Sequence, residues 1–484
     1  MTSHNLSEAA PTPIVVDLDG TLIKTDLLLE SANQFLIERP GSFWRLIFWA
    51  LGKRASLKER LALQVQIDCT SLPYNEELIV WLQEQKATGR ILILATASHH
   101  SLAKGVADHL GIFSDVIATT GDRNLKAAVK RDELVERFGH GQFDYIGDSS
   151  ADMAVWPSAR QAIVVSQSSA FVDKVKNIAD VRNLFNPGRR KFLPSMLRAV
   201  RLHQWVKNLL IFIPLLAAHQ FNDPESIFLG AVAYLVFGLI ASSVYVLNDL
   251  VDIEDDRHHS TKKNRPFASG DLSILFAWIL WPCLATLGFG LATLFLPLQF
   301  VAALMVYLFL TLVYTFRLKQ IAIVDVLVLA GLYTLRIIAG AAAISVPLSF
   351  WLLTFSMFIF LSLALVKRFS ELLAAKQSGH AGLVRGRGYM PEDLEVVSSM
   401  GVASGYLSVL VLALYIQDSY TSVLYKHPQW IWLACPLMLF WISRVWLITH
   451  RGDMHSDPIV FAVRDKASLG LAFCFGLIFL LAMI

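Results

Sequence analysis

Apolar residues fall along this chain in two regimes. Up to about residue 190 they come in short clusters between polar stretches, whereas from 205 to 484 they come in long runs separated by short polar loops. In the first regime the β-branched runs Ile14-Val-Val, Ile91-Leu-Ile-Leu, Val116-Ile and Phe143-Asp-Tyr-Ile, each followed by a polar turn and helical sequence, predict a parallel α/β sheet built of βα units. Between Asp26 and Arg90 lies a helical insertion too long for a simple crossover, placed to form a small cap over about 27–88. Within it, Phe43-Trp-Arg-Leu-Ile-Phe-Trp-Ala-Leu is apolar around nearly its whole circumference. Packing inside the cap is the first expectation for such a helix and contact with a bilayer the second.

In the second regime a hydrocarbon core of about 30 Å needs about 20 helical residues. The runs divide into nine candidate spans, at 205–221, 225–247, 272–291, 296–315, 322–344, 348–367, 397–416, 428–448 and 467–484, so an all-α nine-helix transmembrane bundle is expected. Loops after the even-numbered spans (248–271, 316–321, 367–396, 444–466) hold 15 Lys and Arg, and those after the odd-numbered spans hold only Lys426. By the positive-inside rule the even loops and the N-terminal domain lie in the cytoplasm. Trp430 and Trp432, near the far face, read as aromatic-belt anchors. The expected organisation is a soluble domain over 1–186, a linker and interfacial helix over 187–204, and the bundle over 205–484. The stretch Pro187 to Arg201 carries five positive charges and no acid, which suits anionic lipid.

Composition narrows the classes. Of 484 residues 55% are apolar and 17% charged, against roughly 25% charged in a soluble domain, so a wholly soluble protein is excluded. The formal net charge of +3 gives no footprint for nucleic acid. The four cysteines, Cys69, Cys283, Cys435 and Cys474, lack metal or redox spacing and read as reduced packing residues. The first twenty residues lack a basic and an apolar region, so no secretory signal is read there and the expected location is the inner, cytoplasmic membrane.

Two acidic motifs carry the candidate chemistry. The first is Asp17-Leu-Asp19-Gly-Thr21 at the end of the first strand, joined later by Gly147-Asp148-Ser149-Ser-Ala-Asp152 at the end of another. Carboxylates there suit Mg²⁺, which keeps positions for water and phosphate. Thr96, at a strand end, and Lys130, opening a helix, lie between them. In this order the four elements resemble the haloacid dehalogenase (HAD) superfamily of phosphotransferases, over about residues 12–165. The resemblance implies a Rossmann-like fold with a cap that screens substrates. It implies Asp17 as the nucleophile, Asp19 as general acid then base, and Thr96 holding the phosphoryl oxygens. Lys130 would neutralise charge, with Lys126 its rival. Mg²⁺ would be held by Asp17, Asp148 and the Asp19 carbonyl, with Asp152 in support.

The second motif, Asn248-Asp249-Leu-Val-Asp252-Ile-Glu-Asp-Asp256, ends the second span. At 100° per residue its acids at 249, 252 and 256 share one helical face, where a divalent metal on a diphosphate would offset their repulsion. The arrangement resembles the UbiA superfamily of intramembrane prenyltransferases. Arg201-Leu-His203-Gln-Trp-Val-Lys207-Asn208, Lys262-Lys263-Asn-Arg265-Pro and Tyr314-Thr-Phe-Arg317-Leu-Lys319 with Asp325 are similar to the decaprenyl-phosphate phosphoribosyltransferase branch. Aromatic prenyltransferases carry a second acidic motif after the sixth helix. Here stand Lys367, Arg368 and Glu371, with Arg385 and Arg387 nearby, a basic loop suited to phosphoribosyl diphosphate (PRPP). Asp457, in the eighth loop, is a possible support. Arg336, about eleven residues inside a span, must face a polar cavity or a partner, and the phosphate of a lipid acceptor would satisfy it. Lys207 and Lys319 either touch substrate or snorkel.

The resemblances together imply a bifunctional cell-envelope enzyme. One or more Mg²⁺ ions in the membrane site would assist transfer of 5-phosphoribosyl from PRPP to polyprenyl phosphate, and the HAD site, with its own Mg²⁺, would remove the 5-phosphate. Both sites would face the cytoplasm. The alternatives are an aromatic prenyltransferase using a prenyl diphosphate, beside an unrelated phosphatase, and a transporter with a regulatory soluble domain.

Overall fold

The structure is a computed structural model that describes residues 12–121, 123–379, 382–383, 387–417, 425–454 and 457–483. Residues 1–11 of the N-terminal signal reading, and Arg385, lie outside them. The chain packs as two compact units, one of residues up to Val200 with Val246–Leu280, the other of Arg201–Tyr245 with Trp281–Ile484.

The first unit is built on six parallel strands, β1 (Ile14–Val16), β2 (Leu92–His99), β3 (Asp115–Thr119), β4 (Asp144–Gly147), β5 (Gln161–Val165) and β6 (Val181–Phe185), in the order β3-β2-β1-β4-β5-β6. Burial on both faces explains the unbroken apolar runs. Ile14 and Val16 pack with Leu78, Leu82 and Leu94 on one side, and Val15 packs with Tyr145 and Trp156 on the other. β1 is central, and Val16 pairs with Ile146 of β4. The two acidic loops therefore leave adjacent strands on the same edge. β5 and β6 extend the sheet beyond the strands expected from sequence.

The insertion folds as the helices Leu27–Glu38 (α1), Phe43–Ala50, Arg54–Ala62 and Glu76–Ala87. The expectation that the apolar cap helix is packed away is corrected: Trp44, Phe48 and Leu51 are 75%, 73% and 83% exposed. With apolar groups all round, one face had to stay uncovered. The basic stretch forms the helix Phe192–Ala199, yet Arg198 pairs with Asp271 at 3.0 Å and Arg189 donates to the Lys24 carbonyl. Part of its charge is thus spent within its own unit.

Among the described residues eight helices are long and apolar enough to cross a membrane: Pro224–Val251, Ile274–Phe295, Leu298–Phe316, Val324–Ala343, Phe350–Gln377, Pro391–Ile416, Pro428–His450 and Lys466–Met483. The ninth expected span, 205–221, is not a continuous α-helix. It is a 3-10 stretch, Leu202–Phe212, followed by the short helix Ile213–Ala217. Its buried Lys207 and Asn208 bond sideways into the bundle, and Pro214 starts a new turn. It packs closely because Gly340 has no side chain; a Cβ there would lie 2.1 Å from the Ile211 carbonyl oxygen. The sixth expected span also continues past 367 to Gln377, so Lys367, Arg368 and Glu371 stand on a helix rather than in a loop. All four cysteines are free, and only Cys435 is buried. Cys283 and Cys474, read as packing residues, are exposed on their helices, as are Leu294, Phe309 and Phe473. Such a bare apolar surface belongs in lipid. Trp430 and Trp432 are likewise exposed.

Candidate functional site

The soluble site forms where β1 and β4 end. Asp17 N–H donates to the Ile146 carbonyl at 3.0 Å, which sets the first acid beside the turn of the second loop. Gly20 makes that turn possible, with φ +81° and no room for a side chain: a Cβ would lie 2.3 Å from Asp148 Oδ2. Lys130 Nζ donates to Asp17 Oδ1 at 2.8 Å and to the Tyr145 hydroxyl at 3.0 Å. Of the two candidate lysines, 130 is thus the one seated on Asp17. The Tyr145 hydroxyl donates to Asp152 Oδ1 at 2.6 Å. Asp152 Oδ2 accepts from Ser149 N–H at 3.0 Å and Ser149 Oγ at 2.8 Å, which fixes the loop that presents Asp148.

Asp19 is held separately. Its Oδ1 accepts from Leu27 N–H at 2.8 Å, and its Oδ2 accepts from Ser98 Oγ at 2.6 Å and Thr96 Oγ1 at 3.4 Å. Thr21, whose hydroxyl donates to Asp148 Oδ1 at 3.1 Å, and Tyr145 stand in the sequence motifs without a role, and Ser98 was not singled out from sequence. For Ser98 the available signal was its place two residues after Thr96 on a strand end.

Crowding acids in a buried place has an electrostatic cost. Burial pushes Asp17 up to about 6, with Lys130 opposing and Asp152 adding to it. Burial and Asp26 push Asp19 up to about 7, and burial with Asp17 and Asp152 pushes Asp148 up to about 8. Lys130, which burial alone would lower, is held up by Asp17 and Asp152. A hard cation would relieve this repulsion, and the donor set fits one. Oxygens of Asp17, Asp148 and Asp152 lie within 4.8 Å of one another, all of the type Mg²⁺ prefers.

The second acid motif lies at the end of Pro224–Val251, and its expected continuous helix is interrupted. Asp252, with φ −95° and ψ 13°, occupies the position before a new short helix, Ile253–His258. Asp249 and Asp256 are both 2% exposed, and Arg265 Nη1 lies 3.3 Å from Asp249 Oδ1 and 2.6 Å from Asp256 Oδ2. Burial raises Asp256 to about 6 against the pull of Arg265. The three acids do not form one of the carboxylate groups within 4.8 Å found among the described residues. Arg265 instead joins two of the three, Asp249 and Asp256, into one charge cluster. Asp252 is half-buried, Lys262 and Lys263 are exposed, and Asn248 lies in the last turn of the helix.

In the second unit the sequence-selected bases divide by what surrounds them. Arg368, read as a phosphate binder, is 1% exposed, 2.5 Å from Asp325 and paired with Glu371. Tyr389 OH donates to Asp325 Oδ1 at 2.7 Å. The charge of Arg368 is matched by two acids within the bundle. Lys207 pairs with Asp457, which also caps Pro458–Arg464. Lys367 feels the charges of Glu371, Lys207 and Asp457, and Lys319 lies half-buried in the turn Leu318–Gln320.

Arg336 differs, because its bonds go to neutral groups. It donates to Asn208 Oδ1 at 3.1 Å, the Leu332 carbonyl at 2.7 Å and Tyr307 OH at 3.2 Å. Its guanidinium lies 5.0–5.6 Å from the rings of Tyr307, Phe237 and Tyr333. Beside it, buried Asn208 Nδ2 has no hydrogen-bond partner among the described residues. A buried cation with a spare donor next to it is arranged for an anion.

The UbiA prenyltransferase family matches residues 209–469. Over 475 residues the chain is 38% identical to "Uncharacterized protein y4nM" of Sinorhizobium fredii, spanning 97% of this chain and 91% of that protein. Nodulation protein NoeC of Azorhizobium caulinodans is 37% identical over 58% of this chain and 92% of its own length. Decaprenyl-phosphate phosphoribosyltransferase of Mycobacterium tuberculosis is 31% identical over 58% of this chain and 95% of its own length. With its apolar helices and this match, the chain belongs to the UbiA prenyltransferase family, as a multi-pass membrane transferase with an additional N-terminal α/β domain.

Proposed function

We propose that the protein transfers 5-phosphoribosyl from PRPP to a polyprenyl phosphate on the cytoplasmic side of the inner membrane, and that its N-terminal domain then removes the 5-phosphate. The observation that carries the first step is the likeness to a decaprenyl-phosphate phosphoribosyltransferase along nearly that protein's whole length. In the reaction the bond from ribose C1 to pyrophosphate breaks, a lipid phosphate oxygen bonds to C1, and pyrophosphate leaves. Mg²⁺ bound with the diphosphate supplies charge neutralisation to the leaving group. Asp249 and Asp256 would hold it, with Asp252 close in sequence, while Asn248, Lys262, Lys263 and Arg265 face the phosphates. Arg336, with Asn208, would seat the lipid phosphate, and Lys207, Lys319 and Lys367 are further phosphate contacts, supported by Asp457.

The N-terminal domain is read as a HAD-type phosphatase. Asp17 Oδ1 is occupied by Lys130 and by Leu18 N–H at 2.9 Å, which leaves the other oxygen as the one that would attack phosphorus. Asp19, pushed up to about 7, keeps a proton for the departing ribose oxygen and can later take one from water. Thr96 and Lys130 support the phosphoryl group. Mg²⁺ held by Asp17 and Asp148 would neutralise it there. The bare cap helix around Trp44 and Phe48 is read as a bilayer contact.

The test is to incubate membranes with labelled PRPP and polyprenyl phosphate, or with prenyl diphosphate and 4-hydroxybenzoate. Label entering lipid only with the first pair supports this reading. Turnover of the second pair alone assigns the chain to aromatic prenylation.

A further inference from the structure

The helix α1 starts at the soluble site, where Leu27 N–H donates to Asp19. Two of its polar residues are almost fully buried, Glu30 at 4% and Asn33 at 1% exposed. Such burial is costly without partners, and both find them on the segment that carries the second acid motif. Glu30 grips Arg257 with both oxygens, at 2.6 and 3.2 Å. Arg257 Nε in turn donates to the Ala268 carbonyl at 3.1 Å. Asn33 Nδ2 donates to the Leu250 carbonyl at 3.0 Å, and its Oδ1 accepts from Trp278 Nε1 at 3.0 Å.

Arg257 follows Asp256 directly, and Leu250 follows Asp249. Each acid that shares Arg265 is therefore the chain neighbour of a residue held by α1. The Leu250 carbonyl lies in the last turn of its helix, where the helix itself leaves acceptors unsatisfied. A bidentate arginine–carboxylate pair adds a fixed angle to that hold.

We propose that Glu30 and Asn33 are positioning residues of the membrane transferase: the N-terminal domain holds Asp249 and Asp256 in the arrangement that takes up metal and diphosphate. This rests on reading those two acids as the diphosphate site. The N-terminal domain is then part of the transferase's framework and not only a tethered second activity. The mycobacterial relative is matched over 95% of its own length by 58% of this chain, which leaves little of it for a counterpart of this domain.

The test uses the full chain in lipid nanodiscs with Mn²⁺ as probe, in an Asp17→Asn, Asp148→Asn background that silences the soluble site. Glu30→Gln and Asn33→Leu are each expected to weaken Mn²⁺ binding about tenfold, as loss of a partner behind a metal ligand does. Each should also speed amide exchange across 249–258 while the strands β1 and β4 keep their protection. The charge exchange Glu30→Arg with Arg257→Glu is expected to restore both readouts. Unchanged affinity and exchange in both single variants would overturn the proposal, as would an equal loss of protection in the sheet, which assigns the two residues to their own domain's fold. If Asp249→Ala fails to lower Mn²⁺ binding, the diphosphate reading falls and exchange across 249–258 alone decides the brace.

Discussion

The two acid sites solve one problem with different materials. In the soluble site Asp17 and Asp148 leave neighbouring parallel strands, so pairing of Val16 with Ile146 sets their separation before any side chain packs. Lys130 and the backbone then complete the site within one domain. At the other site Asp249 and Asp256 stand on either side of a break in a helix, and Arg265 draws them together. Strand ends fix a site by backbone alone, whereas a helix end leaves its last turn unsatisfied and needs outside partners, here Arg265 and α1.

The comparison breaks most sharply if the soluble site is chemically idle. Replacing the proposed nucleophile by Asp17→Asn should reduce phosphate release by about 10⁴-fold or more, on the scale of lost nucleophiles elsewhere. Ribosyl transfer should continue, so that lipid still bearing its 5-phosphate accumulates, as chromatography of labelled lipid would show. If the unmodified protein also leaves the phosphate on, the phosphatase assignment is lost.

A smaller effect sharpens the contrast on the membrane side. Arg336→Gln removes a cation whose bonds are to neutral groups, and should raise the polyprenyl phosphate needed for half-maximal rate by about 10- to 100-fold, the range of a charged hydrogen bond. PRPP dependence should change little. An unchanged lipid requirement would make that arginine a packing residue.

The smallest effect concerns pH. Without metal, Asp17, Asp19 and Asp148 bind protons more tightly in the fold, at about 6, 7 and 8, than the ordinary carboxyl value of 3.8 in the open chain. Their contribution to stability is thus complete below about pH 4 and lost as pH rises through those values. Thermal unfolding of the N-terminal unit in EDTA should therefore move to lower temperature between pH 5 and 8, within the full chain, and Mg²⁺ should remove the trend. Equal slopes with and without Mg²⁺ would deny the site its cation.

Much of this was legible in the sequence for local reasons. Strand-end acids sit beside β-branched runs, and spans announce themselves by length. What escaped was set at long range. The bond from Asn33 to Leu250 joins residues 217 apart, and no local pattern marks a buried Glu30 as the partner of Arg257. Nor does any local pattern show that Arg368 lies 2.5 Å from Asp325, an acid on another helix. The stretch 205–221 read as a span because apolar content is visible, whereas the sideways bonds of Lys207 and Asn208 are not.

The most direct measurement of the central claim follows label from PRPP into polyprenyl phosphate, with Mg²⁺, using the unmodified chain and Asp249→Ala. The account predicts lipid-linked ribose and released pyrophosphate, with the rate falling about 10²- to 10³-fold in the variant, as when charge stabilisation of a transition state is removed. No ribose in the lipid, or equal rates in the two proteins, would contradict it.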